Sequence, residues 1–140
     1  MADITVTAAR VALLFPTKAD VRSYIAAETI TKGQAVYITT AGKVGVADAN
    51  GSGTLQFRGI ALNGGAAGQA IDVVHEGEVA GFTLTGNGDA LIYLSNTVGA
   101  LGDSAGATTI VAGRIVVLTD GPTLTKVLRV GPPKWLADWA

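Results

Sequence analysis

The chain has 140 residues, with ten basic and eleven acidic side chains, one histidine and no cysteine. That length suits one domain of ordinary size. A near-zero charge without any run of Lys or Arg offers a polyanion such as DNA no electrostatic footprint, and the missing thiols exclude disulfides and thiolate chemistry. Hydrophobic residues make up 49% of the chain and charged residues 15%, against roughly 25% charged in ordinary domains. Either part of the surface is hidden in an assembly, or Ala and Gly raise the apolar count without making adhesive patches. No stretch approaches the ~20 continuous apolar residues of a membrane span. The opening MADITVTAARVALLF lacks the basic head, apolar run and small-residue cleavage site of a secretory signal, so the expected setting is the cytosol or a particle assembled there.

Residues 1–32 read as an arm. Ile4-Thr5-Val6 alternates like a short strand, and the apolar run Val11 to Phe15 ends at Pro16, which lacks the N–H of a central strand. From Thr17 to Ala27, Val21, Tyr24 and Ile25 fall at helical spacing behind Asp20 as N-cap, predicting one or two turns of helix. An arm that cannot bury Val11, Leu13, Leu14 and Phe15 on its own domain would have to bury them on a neighbour.

Residues 33–130 read as an all-β body, a compact antiparallel β-barrel or sandwich. Short apolar runs, Ala35 to Thr39, Val44 to Ala47, Leu55 to Leu62, Ile71 to Val74 and Val79 to Phe82, alternate with glycine-bearing turns, the sequence form of antiparallel strands. Thr40-Ala41-Gly42-Lys43 predicts a hairpin with Gly42 at positive φ. Asn63-Gly64-Gly65-Ala66-Ala67-Gly68 predicts a flexible connection. After Gly88 the order repeats: Ala35-Val36-Tyr37-Ile38-Thr39 is answered by Leu91-Ile92-Tyr93-Leu94-Ser95, Phe57-Arg58-Gly59-Ile60 by Ala112-Gly113-Arg114-Ile115, and Ile71 to Val74 by Lys126 to Val130. Two lobes, about 33–84 and 88–130, are therefore expected within one sheet system rather than in a stacking array, since arrays need about three or more repeats.

In the tail, residues 131–140, Pro132 and Pro133 end strand pairing, and the chain's two tryptophans follow, Trp135 and Trp139, with Leu136 beside them. At i and i+4 the two indoles share one side of a helical turn. The tail either folds back on its own domain or docks on another subunit.

Catalytic chemistry finds little support. The sole histidine, His75, lies in Val74-His75-Glu76-Gly77-Glu78. Strand alternation puts Glu76 and Glu78 on the opposite face from it, so His75 reads as a solvated strand-end residue rather than a base. With one His and no Cys, a metal would rest on carboxylates, and Asp48, Asp72, Glu76, Glu78, Asp89 and Asp103 lack calcium-loop spacing. No phosphate-binding GxxxxGK[ST] occurs, and Tyr37, Phe57, Phe82 and Tyr93 sit among Ala, Val and Gly, as core rather than as platforms for bases. No catalytic residue, metal or cofactor is assigned.

The segments Ile30-Thr31-Lys32-Gly33-Gln34-Ala35-Val36-Tyr37, Gly42-Lys43-Val44, Ala47-Asp48-Ala49, Arg58-Gly59-Ile60-Ala61-Leu62, Gly65-Ala66-Ala67-Gly68-Gln69 and Gly77-Glu78-Val79, in that order, resemble the small capsid decoration, or cement, proteins of tailed bacteriophages. The resemblance covers residues 30–80 well and 88–130 more loosely. It departs from the simplest family pattern in the segment near 20–26 and in the Trp-bearing tail. It implies a structural virion protein on the capsid exterior, assembled in the host cytoplasm, that stabilises contacts between major capsid protein subunits. It further implies self-association, a trimer favoured and a dimer on a two-fold axis still open, with no nucleic acid and no membrane. On that reading the contact segments are the arm, Ile4 to Phe15, with Ile4, Val6, Val11, Leu13, Leu14 and Phe15 as contact residues, and the tail, Trp135 to Trp139, with Trp135, Leu136 and Trp139. The alternative is a carbohydrate- or host-surface-binding β module of a virion, which needs aromatic side chains exposed on the body.

Overall fold

A computed structural model describes residues 3–51, 54–120 and 122–131, with the side chains of Thr119, Asp120 and Thr123 left aside. Among these residues the chain forms ten strands: β1 (Ala12–Leu13), β2 (Asp20–Ile25), β3 (Ala35–Ile38), β4 (Val44–Val46), β5 (Phe57–Ala61), β6 (Ala70–Ala80), β7 (Leu91–Leu94), β8 (Leu101–Gly102), β9 (Val111–Asp120) and β10 (Thr123–Val130). They make one curled antiparallel sheet, a half-barrel, in the order β4-β3-β5-β6-β10-β9-β7-β8, with β1 and β2 also pairing with β6. The all-β expectation is met.

The sheet order exposes the repeat. Strands β3 to β6 lie as β4-β3-β5-β6 and strands β7 to β10 as β8-β7-β9-β10, the two halves joined where β6 meets β10. Register carries the equivalence to single residues. Ala35↔Ile60, Val36↔Gly59 and Tyr37↔Phe57 in the first lobe match Leu91↔Arg114, Ile92↔Gly113 and Tyr93↔Val111 in the second. Both ladders shift register at the same step, after Val36 and after Ile92. Gly59 and Gly113 have one cause: a Cβ there would collide with the Val74 carbonyl in the first lobe and the Arg129 carbonyl in the second, so only glycine lets the neighbouring strand approach.

The long strand β6 organises both lobes. Its first part pairs with β5 and β2 and its last residues with β10 and β1. The change falls at Gly77, whose φ of 151° lies in a region open to glycine but not to L side chains. The predicted helix over 17–27 is corrected: Pro16–Lys18 is a single 3-10 turn and Asp20–Ile25 is a strand. Spacing alone cannot separate the two, and β6 offers a ladder partner for every residue from Asp20 to Ile25, which an isolated helical turn would lack.

Two clusters of buried side chains result. The larger joins Ala35, Phe57, Ile60 and Val74 of the first lobe to Ile92, Leu94, Leu101, Ile115 and Leu128 of the second. The smaller, Val36, Val44, Val46, Ala61, Ile71 and Val73, lies on the other face of the first lobe beneath Ala26 and Ile30. The predicted flexible connection at 63–68 is also corrected. Ile30 and Gly65 bridge, and the Asn63 side chain donates to the Ala70 carbonyl at 2.9 Å and accepts from the Asp72 N–H at 2.6 Å.

Candidate interaction surface

The arm binds its own domain. Asp3 bridges to Gly102 and Val6 to Phe82, the Ile4 N–H donates to the Leu101 carbonyl at 2.8 Å, and the Leu14 N–H donates to the Glu78 carbonyl at 3.1 Å. The Asp3 carboxylate, held below the usual range chiefly by a hydrogen bond from Ser95 and then by Thr97, fixes the start of the arm to the second lobe. Val11 is 1% exposed, and Ile4, Val6 and Leu13 are half-buried against the larger cluster. The expectation that these four need a neighbour is corrected: a strand edge and an open core are available within the chain. Leu14 (38%) and Phe15 (42%) stay exposed beside the Pro16 turn, because that turn lifts the chain off β6 between β1 and β2. Trp135, Leu136 and Trp139 lie outside the described residues.

Other apolar side chains share this exposure. Val21 and Ile25 point outward from β2. Among the described residues, beyond its pairing with β6 and β7, the β9–β10 ribbon is paired only with itself, and it carries Val117 and, at 67% exposure, Leu124. These sites lay in the sequence as ordinary strand residues, and nothing in its alternation marked them as uncovered.

His75 is corrected as well. It is buried rather than solvated. Asp20 pairs with Glu76 and Val21 with Val74, leaving His75 as the extra residue of a bulge, which turns its ring inward. Nδ1 lies 2.6 Å from the Arg58 carbonyl and Nε2 lies 2.8 Å from the Tyr24 hydroxyl. A carbonyl only accepts, so Nδ1 carries the proton, and Nε2 of the neutral ring accepts from Tyr24. Burial pushes the imidazole below its ordinary value, against the Arg58 carbonyl and Asp20, which favour the charged form; Arg22 and Arg58 oppose it. Burial likewise raises the Tyr24 phenol. The rings meet edge to face, centroids 5.6 Å apart. With both nitrogens engaged, the group works as a clasp between β2, β5 and β6.

A groove of about 560 Å³ crosses the outer face of the second lobe, lined among others by Glu76, Leu91, Val111, Arg114, Arg129 and Gly131. Arg114 and Arg129 stand directly opposite one another across β9 and β10, an arrangement that repels. Each has an acidic neighbour: Arg114 donates to the Asp89 carbonyl at 2.8 Å and lies 3.6 Å from its carboxylate, and Arg129 is 3.5 Å from Glu78. Both guanidinium side chains remain at least half exposed, at 50% and 63%. By the repeat, Leu91, Val111, Arg114 and Arg129 occupy the places of Ala35, Phe57, Ile60 and Val74. In the first lobe that face is core; in the second it is an open groove rimmed by two cations.

Among the described residues no three His, Cys, Asp or Glu side chains gather to hold a metal ion, and no helix is long and apolar enough to cross a membrane. Neither the protein-family models nor the sequences of curated proteins gave a match to this chain.

Proposed function

We propose that this chain is a non-enzymatic structural virion protein that binds the outer surface of a tailed-phage capsid and stabilises contacts between major capsid protein subunits, acting as a homo-oligomer with a trimer as the favoured form. The observation that carries the reading is the distribution of exposed apolar side chains. Leu14 and Phe15 on the arm, Val21 and Ile25 on β2, and Leu124 on the β9–β10 ribbon are uncovered on a body whose one histidine is engaged at both nitrogens. Separated small contacts suit a cement. Each is weak, but a rigid β body that presents several at once, multiplied by self-association, gains avidity across a joint between subunits. The ordered segments 30–37, 58–62 and 77–79, which carry the resemblance, build the frame that holds these contacts in place.

The test is co-sedimentation with emptied heads of the phage that encodes the chain. The wild type is expected to pellet with heads at saturating stoichiometry, and the exposed-site variants L14D/F15D and L124D, which leave the core untouched, are each expected to weaken binding about tenfold or more, the loss of roughly 1.5–3 kcal/mol of side-chain burial. Absence of wild-type binding to heads overturns the proposal.

A further inference from the structure

We infer that the groove over Leu91, Val111, Arg114 and Arg129 receives the Pro/Trp segment, residues 132–140, of a second copy of this chain. This rests on the homo-oligomer of the proposed function but not on its capsid binding. Three observations select that occupant.

The first is the repeat. The face that forms the groove is the counterpart of the first-lobe face on which the second lobe packs, so its backbone shape is that of a surface built to be covered. Its apolar floor, Leu91 and Val111, is only half-buried. A space of about 560 Å³ falls in the range of clefts that take a drug-sized ligand, roughly 300–1,000 Å³, and an indole ring is smaller than such a ligand.

Charge is the second. Ile60 and Val74 are replaced in the groove by Arg114 and Arg129, which penalises another aliphatic lobe there and favours aromatic rings, on whose faces guanidinium groups stack. Residues 132–140 hold both tryptophans of the chain, together with Asp138 for the arginines and Lys134 for Glu76.

Third, Gly131 itself lines the groove, and Pro132 and Pro133 follow it directly. A residue before proline is pushed to extended backbone, and two prolines carry the chain onward by about 3.1 Å per residue. A stiff, extended start opposes immediate reversal into the groove beside Gly131, which favours the equivalent groove of a neighbour as the place for the rings that follow. Exchanged tails of this kind close a ring or a two-fold pair.

Because both tryptophans lie in this segment, their emission reports on it alone. The full chain is diluted from high micromolar to nanomolar concentration while emission wavelength and sedimenting mass are followed together. The expected result is a red shift on dilution with the same midpoint as the fall in mass. R114E/R129E is expected to raise that midpoint about tenfold or more, and W135A/W139A to sediment as a monomer with an unchanged circular dichroism spectrum. Three results each overturn the inference. One is emission that is blue-shifted at every concentration, which places the tail on its own domain. Another is emission that is red-shifted at every concentration and shifts only when phage heads are added, which makes the capsid the occupant. The last is an oligomer whose midpoint ignores R114E/R129E. Head binding by a concentration-independent monomer would leave the capsid reading standing and this one lost.

Discussion

Replacing His75 by Phe probes the clasp between β2 and the body with the least change in shape. The variant keeps a flat ring in a fully buried position but deletes the donor to the Arg58 carbonyl at 2.6 Å and the acceptor for the Tyr24 hydroxyl at 2.8 Å. Two hydrogen bonds at about 1 kcal/mol each, plus the cost of leaving buried polar groups short of a partner, amount to about 2–4 kcal/mol at pH 8. The pH dependence separates this from a packing defect. The folded imidazole titrates below its ordinary value, mainly because it is buried, so the unfolded chain takes up the proton first. The stability of the neutral clasp is therefore fully present above about pH 6.5 and is lost as pH falls below that, at up to about 1.4 kcal/mol per unit until the lowered folded value is reached. As the chain has one histidine, urea unfolding between pH 8 and pH 5 assigns the slope to His75. Wild type is expected to lose stability on acidification through this window, while the H75F curve, lower throughout, is expected to lack the histidine slope. Parallel curves for the two proteins would refute the reasoning.

Two further substitutions test the fold that presents the surface. Gly113→Ala puts a methyl group against the Arg129 carbonyl and should cost about 1–3 kcal/mol through displaced strands; thermal unfolding checks it, and a variant as stable as wild type would mean β9 and β10 separate freely there. Val11→Asp places a carboxylate at a site 1% exposed in the larger cluster. Because the arm is part of that core, the whole domain is expected to unfold about 3 kcal/mol or more earlier in a single transition, whereas selective proteolysis of residues 1–20 from an intact body would show the arm to be dispensable.

The β architecture was legible because strand alternation and glycine turns are local signals, and the repeat because equivalent ladder residues keep similar identities, as in Tyr37 and Tyr93 or Gly59 and Gly113. Legibility failed where a long-range partner decides. Val21, Tyr24 and Ile25 satisfy helical spacing, yet the choice was made by β6, roughly fifty residues on. His75 owes its burial to a bulge opposite Asp20 and Val21 and to a tyrosine 51 residues away, neither visible from Val74-His75-Glu76. Four of the six arm residues taken as external contacts found cover in cis for the same reason: whether an apolar run meets its own core or a neighbour's depends on which edges the body leaves open. Leu14 and Phe15 are exposed through a local cause, the turn begun by Pro16, and this is the part of the exposed apolar surface the sequence could mark.

The two lobes pack with unlike faces together. The first presents Ala35, Phe57, Ile60 and Val74, and the second answers with Ile92, Leu94, Ile115 and Leu128, the counterparts of the first lobe's opposite face. Such a head-to-tail stack cannot close on itself; it leaves one unsatisfied face at each end, as repeat proteins do. At the first end the chain supplies its own cover, Ala26, Ile30 and the Tyr24 side chain of β2 packing with Val36, Ile71 and Val73. At the second end two aliphatic positions have become Arg114 and Arg129. A further lobe stacked there would have to bury two guanidinium groups facing one another, at several kcal/mol each without full pairing. Open-ended growth of the stack is thereby opposed, while the apolar floor stays available to side chains that tolerate a cation at their edge. The arginines thus turn an end that would otherwise favour a further lobe into an open, cation-rimmed groove.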